Sequence, residues 1–300
     1  MGLDGNTWVM LSTGRGFSSP TAWHDGLFFG SKATLLGDVD GDGRSDLVAV
    51  NDNGTWVMLS TGSEFSAPAQ WSGEPFFGSK ATLLGDVDGD GRSDLVAVND
   101  NDTWVMLSTG SGFSAPAQWS GEPFFGSKAT LLSDLNGVNG DGRADLAAVN
   151  DDDTWVMLST GSGFFTAPAV ASREPFFGSK ATLLGNVTGD RRSDLVAVND
   201  NDTWVLRLST GTAVYAPAQW SGEPFFGSKA TLLGDVDGDG RSDLVAVNDN
   251  DTWVMLSTGS EFSAPAQWSG EPFFGNNVTL LGDITGDGRS DLVAVNVSAS

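Results

Sequence analysis

The chain has 300 residues, no cysteine and a formal net charge of −24, from 15 Lys and Arg against 39 Asp and Glu. Without thiols there is no disulfide framework, and a surface this acidic is unsuited to the phosphates of nucleic acid or to an anionic membrane. No apolar run approaches the roughly 20 residues that cross a bilayer as a helix, and Met1-Gly2-Leu3-Asp4-Gly5 does not read as a signal peptide.

The chain opens on a short apolar strand, Asn6-Thr7-Trp8-Val9, and passes through a Trp23 segment to Phe28-Phe29-Gly30. A strand ending at Gly37 then enters an acidic loop, Asp38-Val39-Asp40-Gly41-Asp42-Gly43-Arg44-Ser45-Asp46, from which Leu47-Val48-Ala49-Val50 emerges. From here the pattern repeats. Ala67 to Leu84 reads APAQWSGEPFFGSKATLL, and the same residues recur at 115–132 and 216–233. The Trp of Thr-Trp-Val falls at 8, 56, 104, 155, 204 and 253, and the Asp before the apolar strand at 46, 94, 145, 194, 243 and 291. The period is therefore 48 to 51 residues, in the range of blade-forming repeats.

Each period reads as four strands, for example 81–87, 94–99, 103–108 and a weaker, Pro-interrupted 113–119. Leu-Val-Ala-Val and Trp-Val-Met-Leu are apolar throughout, so both faces need cover, as in a propeller blade held between neighbours. The expected fold is all-β: a single six-bladed β-propeller over residues 1–300, four antiparallel strands per blade. One composite blade, built from the N- and C-terminal strands, closes it and leaves no first or last edge. The Trp of Thr-Trp-Val is expected in the core.

The acidic loops offer oxygens at positions 1, 3, 5 and 9, the donor set of a hard cation such as Ca2+. The complete sets are Asp38, Asp40, Asp42 and Asp46; Asp86, Asp88, Asp90 and Asp94; and Asp235, Asp237, Asp239 and Asp243. The carbonyls of Arg44, Arg92 and Arg241 can each add an oxygen. The last loop supplies Asp283, Thr285, Asp287 and Asp291, with Thr at position 3. The third carries a three-residue insertion, placed at Asp134-Leu135-Asn136, leaving Asn139, Asp141 and Asp145 in register. The fourth, Asn186-Val187-Thr188-Gly189-Asp190-Arg191, lacks two carboxylates and has Arg for Gly. Three to five structural calcium ions are expected, in an extracellular, calcium-rich setting.

The D-x-D-x-D-G-x-x-D loop between two strands, repeated at a propeller period, resembles the FG-GAP or VCBS repeats of integrin α-subunit propellers and of many secreted bacterial proteins. Similar repeat propellers among mushroom lectins imply N-acetylglucosamine-type sugars held between consecutive blades. The residues nominated for that role flank the second Trp series: Trp23; Gln70, Trp71, Glu74 and Lys80; Gln118, Trp119, Glu122 and Lys128; Gln219, Trp220, Glu223 and Lys229; Gln267, Trp268 and Glu271. An aromatic plane beside amide and charged groups suits a pyranose. The alternative for these Trp residues is a seal between blades. The fourth repeat, with Val170-Ala171-Ser172-Arg173, has no such Trp, and the sixth has Asn276-Asn277 for Ser-Lys.

The function these features suggest is a multivalent carbohydrate-binding protein, a non-catalytic lectin, monomeric or weakly oligomeric. The alternative is a protein-interaction scaffold or a non-catalytic module of a larger secreted protein. His24 has no Ser or Cys constellation beside it, so catalysis is not expected.

Overall fold

The computed structural model describes residues 5–135, 141–164, 168–208 and 216–297. These residues contain 24 strands and no helix, arranged as six four-stranded antiparallel sheets, the six blades of a β-propeller. By contact the chain divides into two units. One holds Met1–Phe76, Phe226–Ser257 and Phe262–Ser300; the other holds Phe77–Phe225 and Thr258–Glu261.

In a representative blade of the second unit, Ala81–Gly85, Asp94–Val98, Thr103–Met106 and Ala117–Ser120 pair in sequence order. The second strand, Asp94–Val98, is buried along its whole length, as its unbroken apolar sequence requires. The fourth strand begins later than the sequence suggests. Pro116 cannot donate to a ladder, so Phe113 is left as an isolated bridge to Ser108 and the strand starts at Ala117. A register shift interrupts the third and fourth strands in each blade, between Thr55 and Trp56 in one case.

The first unit contains the composite blade. Thr7–Met10 pairs with Asp291–Val295, Trp8 opposite Ala294 and Val9 opposite Val293. Thr21–His24 and Val278–Gly282 complete that sheet. The two ends of the chain are thus held in one ladder.

The cores lie between blades. Within the second unit Val96, Val98 and Val105 of one blade pack with Ala144, Leu146 and Met157 of the next. Within the first, Val9 and Val293 pack with Leu47 and Met58. Hydrogen bonds stitch the acidic loops of successive blades together: Ser45 N–H donates to the Asp283 carbonyl and Ser290 N–H to that of Asp235, both at 2.6 Å. In the second unit Ala144 N–H reaches the Asp86 carbonyl at 2.6 Å.

Candidate functional site

Each acidic loop is folded by its own carboxylates. Asp38 accepts the N–H groups of Gly41 at 2.7 Å and Gly43 at 2.8 Å, and Asp40 accepts that of Asp42 at 3.1 Å. The turn needs a left-handed residue after position 5, met by Gly43 at φ 86°. In the fourth loop Arg191 occupies this place at φ 67°, a strained conformation for a residue with a Cβ.

In three loops the carboxylates converge. Asp38, Asp40 and Asp42 each offer an oxygen within 4.8 Å of the others, as do Asp86, Asp88 and Asp90, and Asp235, Asp237 and Asp239. Ligands on opposite sides of a calcium ion stand at most about 4.8 Å apart, twice a bond of about 2.4 Å, so the spacing fits a cation of that size. Burial and then the neighbouring Asp42 raise the Asp40 carboxyl above its ordinary value. Asp88 and Asp237 behave likewise. Burial and the neighbouring acids together outweigh the lowering effect of the nearby arginine. The last loop has only two carboxylates at these positions, Asp283 and Asp287 with Thr285 between them, and the fourth loop has only Asp190.

Asp46 has a different place from its loop partners. It is fully buried, and its two oxygens accept Val39 N–H at 3.0 Å and Ser60 N–H at 2.8 Å, tying the loop to the third strand. Burial pushes its carboxyl up to about 7 despite these donors. Asp94, Asp145, Asp243 and Asp291 repeat the arrangement at about 7; in the fourth loop Asp194 reaches about 6.

The arginines act through their side chains in a way the sequence reading missed. Arg44 pairs with the outer oxygen of Asp42, and its Nε donates to the Ser60 carbonyl at 3.1 Å. Arg92 and Arg241 do the same with Asp90 and Asp239. The signal was present: an Arg follows the turn in all six loops. Asp134 was missed as well. Its carboxylate accepts Gly142 N–H at 2.9 Å, as Asp38 accepts Gly43, while Leu135 N–H bonds Asp145 as Val39 bonds Asp46. The insertion therefore follows Leu135, and Asp134 is position 1. Leu-Ser-Asp-Leu parallels Leu-Gly-Asp-Val and could have revealed it. Asn139 lies outside the described residues.

Of the two places open to the second Trp series, a sugar site or a seal between blades, most members take the seal. Trp23, Trp119, Trp220 and Trp268 are buried, none more than 9% exposed, and Trp71 is half-buried. For Trp23 and Trp119 the cover comes from the following repeat. Trp119 meets Phe164 edge-on at 5.4 Å, and Trp23 meets Phe65 likewise. The backbone joins too, with Phe164 N–H on the Trp119 carbonyl at 3.1 Å. The buried rings of Trp23 and Trp119 thus seal one blade to the next. By contrast the Trp of Thr-Trp-Val, expected in the core, is half-buried in five blades and exposed, at 37%, in the sixth as Trp56.

Gln70, Gln118, Gln219 and Gln267 and Glu74, Glu122, Glu223 and Glu271 stand exposed on the Trp segment. The lysines belong elsewhere. Lys80 pairs with Asp100 at 2.7 Å and lies 4.7 Å over the Phe125 ring of the next repeat. Lys128 pairs with Asp151 and covers Phe177, and Lys229 pairs with Asp249 and covers Phe274. Among the described residues no hydrogen bond or ring contact joins Lys80, Lys128 or Lys229 to the Gln-Trp-Ser-Gly segment. In the sixth repeat Asn277 instead accepts the Thr34 hydroxyl at 3.2 Å.

Beside Phe177 lies a pocket of about 270 Å³ bounded by Pro175, Phe176, Asn199, Trp204 and Pro217. Asn199 is held in place, its oxygen accepting Ser179 N–H and its amide donating to Asp202. Lys180 and Asp200 form an exposed ion pair at 2.8 Å on the two residues that follow Ser179 and Asn199. The same residue types recur at Phe125, Asn150 and Trp155, and at Phe77, Asn99 and Trp104.

Four-stranded blades, each with an acidic loop between its first two strands, define a β-propeller of strand–loop–strand repeats. The chain belongs to the FG-GAP-like repeat family, whose model matches residues 38–97, 86–137 and 235–294, together more than half of its length. No curated protein matches the sequence. Among solved structures it is similar to an Agrocybe aegerita lectin that specifically recognises non-reducing terminal N-acetylglucosamine, with a TM-score of 0.65 and 18% identity, over 96% of this chain and 84% of that one. It is also similar to part of the Photorhabdus luminescens Tc holotoxin pore, with a TM-score of 0.61 and 18% identity, over 89% of this chain. A TcdB2–TccC3 structure lacking its hypervariable C-terminal region gives a TM-score of 0.52 at 18% identity, over 88% of this chain and 13% of that one. The chain spans only 14% of the holotoxin chain it matches. At this identity the likeness is one of fold.

Proposed function

We propose that the protein is a multivalent, non-catalytic carbohydrate-binding protein of the extracellular space, with glycans as its partners. The observation that carries this reading is the pocket of Phe177, Asn199 and Trp204 beside the Lys180–Asp200 pair, whose residue types recur along the sequence. A half-exposed indole gives the C–H face of a pyranose a plane to pack on, and the neighbouring amide and charges can meet its hydroxyls. A volume of about 270 Å³ is below that of most drug-sized ligand sites and suits one sugar unit. The stacking residues are then Trp56, Trp104, Trp155, Trp204 and Trp253, in place of the buried Trp119 series. Likeness in fold to a lectin for terminal N-acetylglucosamine supports testing that sugar first. Several weak sites on one chain gain strongly in avidity on a glycosylated surface.

Calcium in this reading is structural. Asp38, Asp40 and Asp42 and their counterparts at 86–90 and 235–239 would hold it, and the ion would neutralise the crowded acids and fix the loop. Glycan-array screening, with calcium and with chelator, tests the proposal; no binding to any terminal N-acetylglucosamine or related glycan in calcium would end it. A scaffold reading is favoured by the likeness to a segment of a much longer toxin chain. It expects a protein partner held through features that differ between repeats, with binding insensitive to Trp104→Ala.

A further inference from the structure

Four of the turns between the second and third strands of a blade carry the same triplet, an Asn followed two residues later by Thr. It reads Asn-Gly-Thr at 53–55 and Asn-Asp-Thr at 101–103, 201–203 and 250–252. Asn-x-Thr, with x other than Pro, is the acceptor triplet for carbohydrate on an asparagine amide. The third repeat has Asp152 in place of the Asn and so lacks the acceptor.

The fold separates these asparagines from the other triplets of the same form. Asn53, Asn101, Asn201 and Asn250 are exposed, and among the described residues their side chains make no hydrogen bond. Each stands third in a tight turn. In three blades the turn is closed by an N–H donating to a carbonyl at 2.9 Å, Asn99 to Asp102, Asn199 to Asp202 and Asn248 to Asp251; in the other, Asn51 pairs with Gly54. The turn lies at the end of the blade opposite the acidic loop, because the second strand, Asp94–Val98 for example, runs from one to the other. A hairpin tip in solvent can carry added bulk without displacing a strand. Elsewhere the Asn is held by the fold. Asn186 accepts Gly189 N–H at 2.9 Å, and Asn277 accepts the Thr34 hydroxyl at 3.2 Å. Asn296 is buried and donates to the Asn6 carbonyl at 3.0 Å. The hydroxyls of Thr55, Thr103, Thr203 and Thr252, like those of Thr7 and Thr154, are buried and have no partner. A change at Thr103 therefore tests the triplet without breaking a hydrogen bond of the fold.

We propose that Asn53, Asn101, Asn201 and Asn250 are acceptors of N-linked glycans, a reading that rests on the extracellular setting proposed above. The co-substrate is an oligosaccharide joined through its first sugar to a polyprenyl diphosphate, and a membrane-bound oligosaccharide transferase moves it before the chain folds, while the Thr hydroxyl is still accessible. The amide nitrogen of Asn bonds to the anomeric carbon of that sugar, and the bond from this carbon to the diphosphate oxygen breaks. The lipid diphosphate leaves and the amide gives up one proton; nothing is oxidised or reduced.

Mass spectrometry of the intact chain, secreted from yeast behind a secretion leader, tests this before and after an amidase that removes N-linked glycans and leaves Asp. Carbohydrate is expected at all four turns, each recovered as Asp after the enzyme. Asn101→Gln and Thr103→Val should each lose one glycan, whereas Thr103→Ser should keep it. Chain retained in the cells is measured in the same way, since transfer precedes folding, so a variant that folds poorly still gives a result. Unmodified Asn at all four turns, carbohydrate only at Asn186, Asn277 or Asn296, or a Thr103→Val chain still modified at Asn101 would each overturn the proposal. The leader supplies the compartment, so failure here is distinct from failure of the extracellular reading, which fractionation of the source cells tests separately.

Discussion

Single residues decide how each acidic loop is held. Asp94 is fully buried and accepts two backbone N–H groups, from Val87 at 3.0 Å and Ser108 at 2.7 Å. Removing it strands both donors in the interior. Asp94→Ala is expected to cost about 2–4 kcal/mol, and Asp94→Asn less because one acceptor survives; chemical denaturation measures both. The fourth loop offers the converse. Arg191 sits at φ 67° where its counterparts are Gly, so Arg191→Gly should raise stability by about 0.5–1 kcal/mol through relief of strain. The clustering of three carboxylates in each complete loop was legible in sequence because spacing alone sets it. Asp134 was not, since an insertion hides register until a hydrogen bond such as Gly142 to Asp134 fixes it. The arginine side chains were also hidden, because their partners are set by the fold of the turn.

At the scale of elements the strands were plain from their apolar runs, but the facing of their side chains was not. Alternation along a strand separates two faces without saying which neighbour covers each. In Gly54–Met58, Thr55 and Val57 are buried while Trp56 between them is exposed. The outer Trp is buried only because a Phe from the next repeat lands on it, a contact no single repeat contains. The same strand carries a cost. The hydroxyls of Thr7, Thr55, Thr103, Thr154, Thr203 and Thr252 are buried and find no protein partner, each beside the register shift, where ladder bonding is broken. Thr103→Val keeps the shape and removes the unsatisfied group, and is expected to stabilise by about 1 kcal/mol; a loss of stability on denaturation would contradict it.

For the whole molecule, period and count sufficed to infer six blades, and pairing of Thr7–Met10 with Asp291–Val295 realises the expected closure. The charge balance has a measurable consequence. Asp46, Asp94, Asp145, Asp243 and Asp291 rise from an ordinary 3.8 to about 7 when folded. A carboxyl that binds its proton more tightly in the folded chain favours folding fully below about 4, and the benefit is lost as pH rises through about 7. In chelator, the melting temperature should therefore increase as pH falls from about 7.5 to about 5. Calcium needs the ionised carboxylates, so its stabilising effect should grow in the opposite direction. A calcium-insensitive melting temperature at neutral pH would rule out the structural-metal reading.

Several equivalent sugar sites built on the half-exposed Trp of Thr-Trp-Val would make the protein multivalent. Calorimetric titration with a terminal N-acetylglucosamine glycoside, in calcium, measures their number directly. The expected result is more than one site per chain, with Trp104→Ala removing one site and leaving the melting temperature nearly unchanged, and with Trp119→Ala lowering stability instead. No binding, or a stoichiometry untouched by Trp104→Ala, would contradict it.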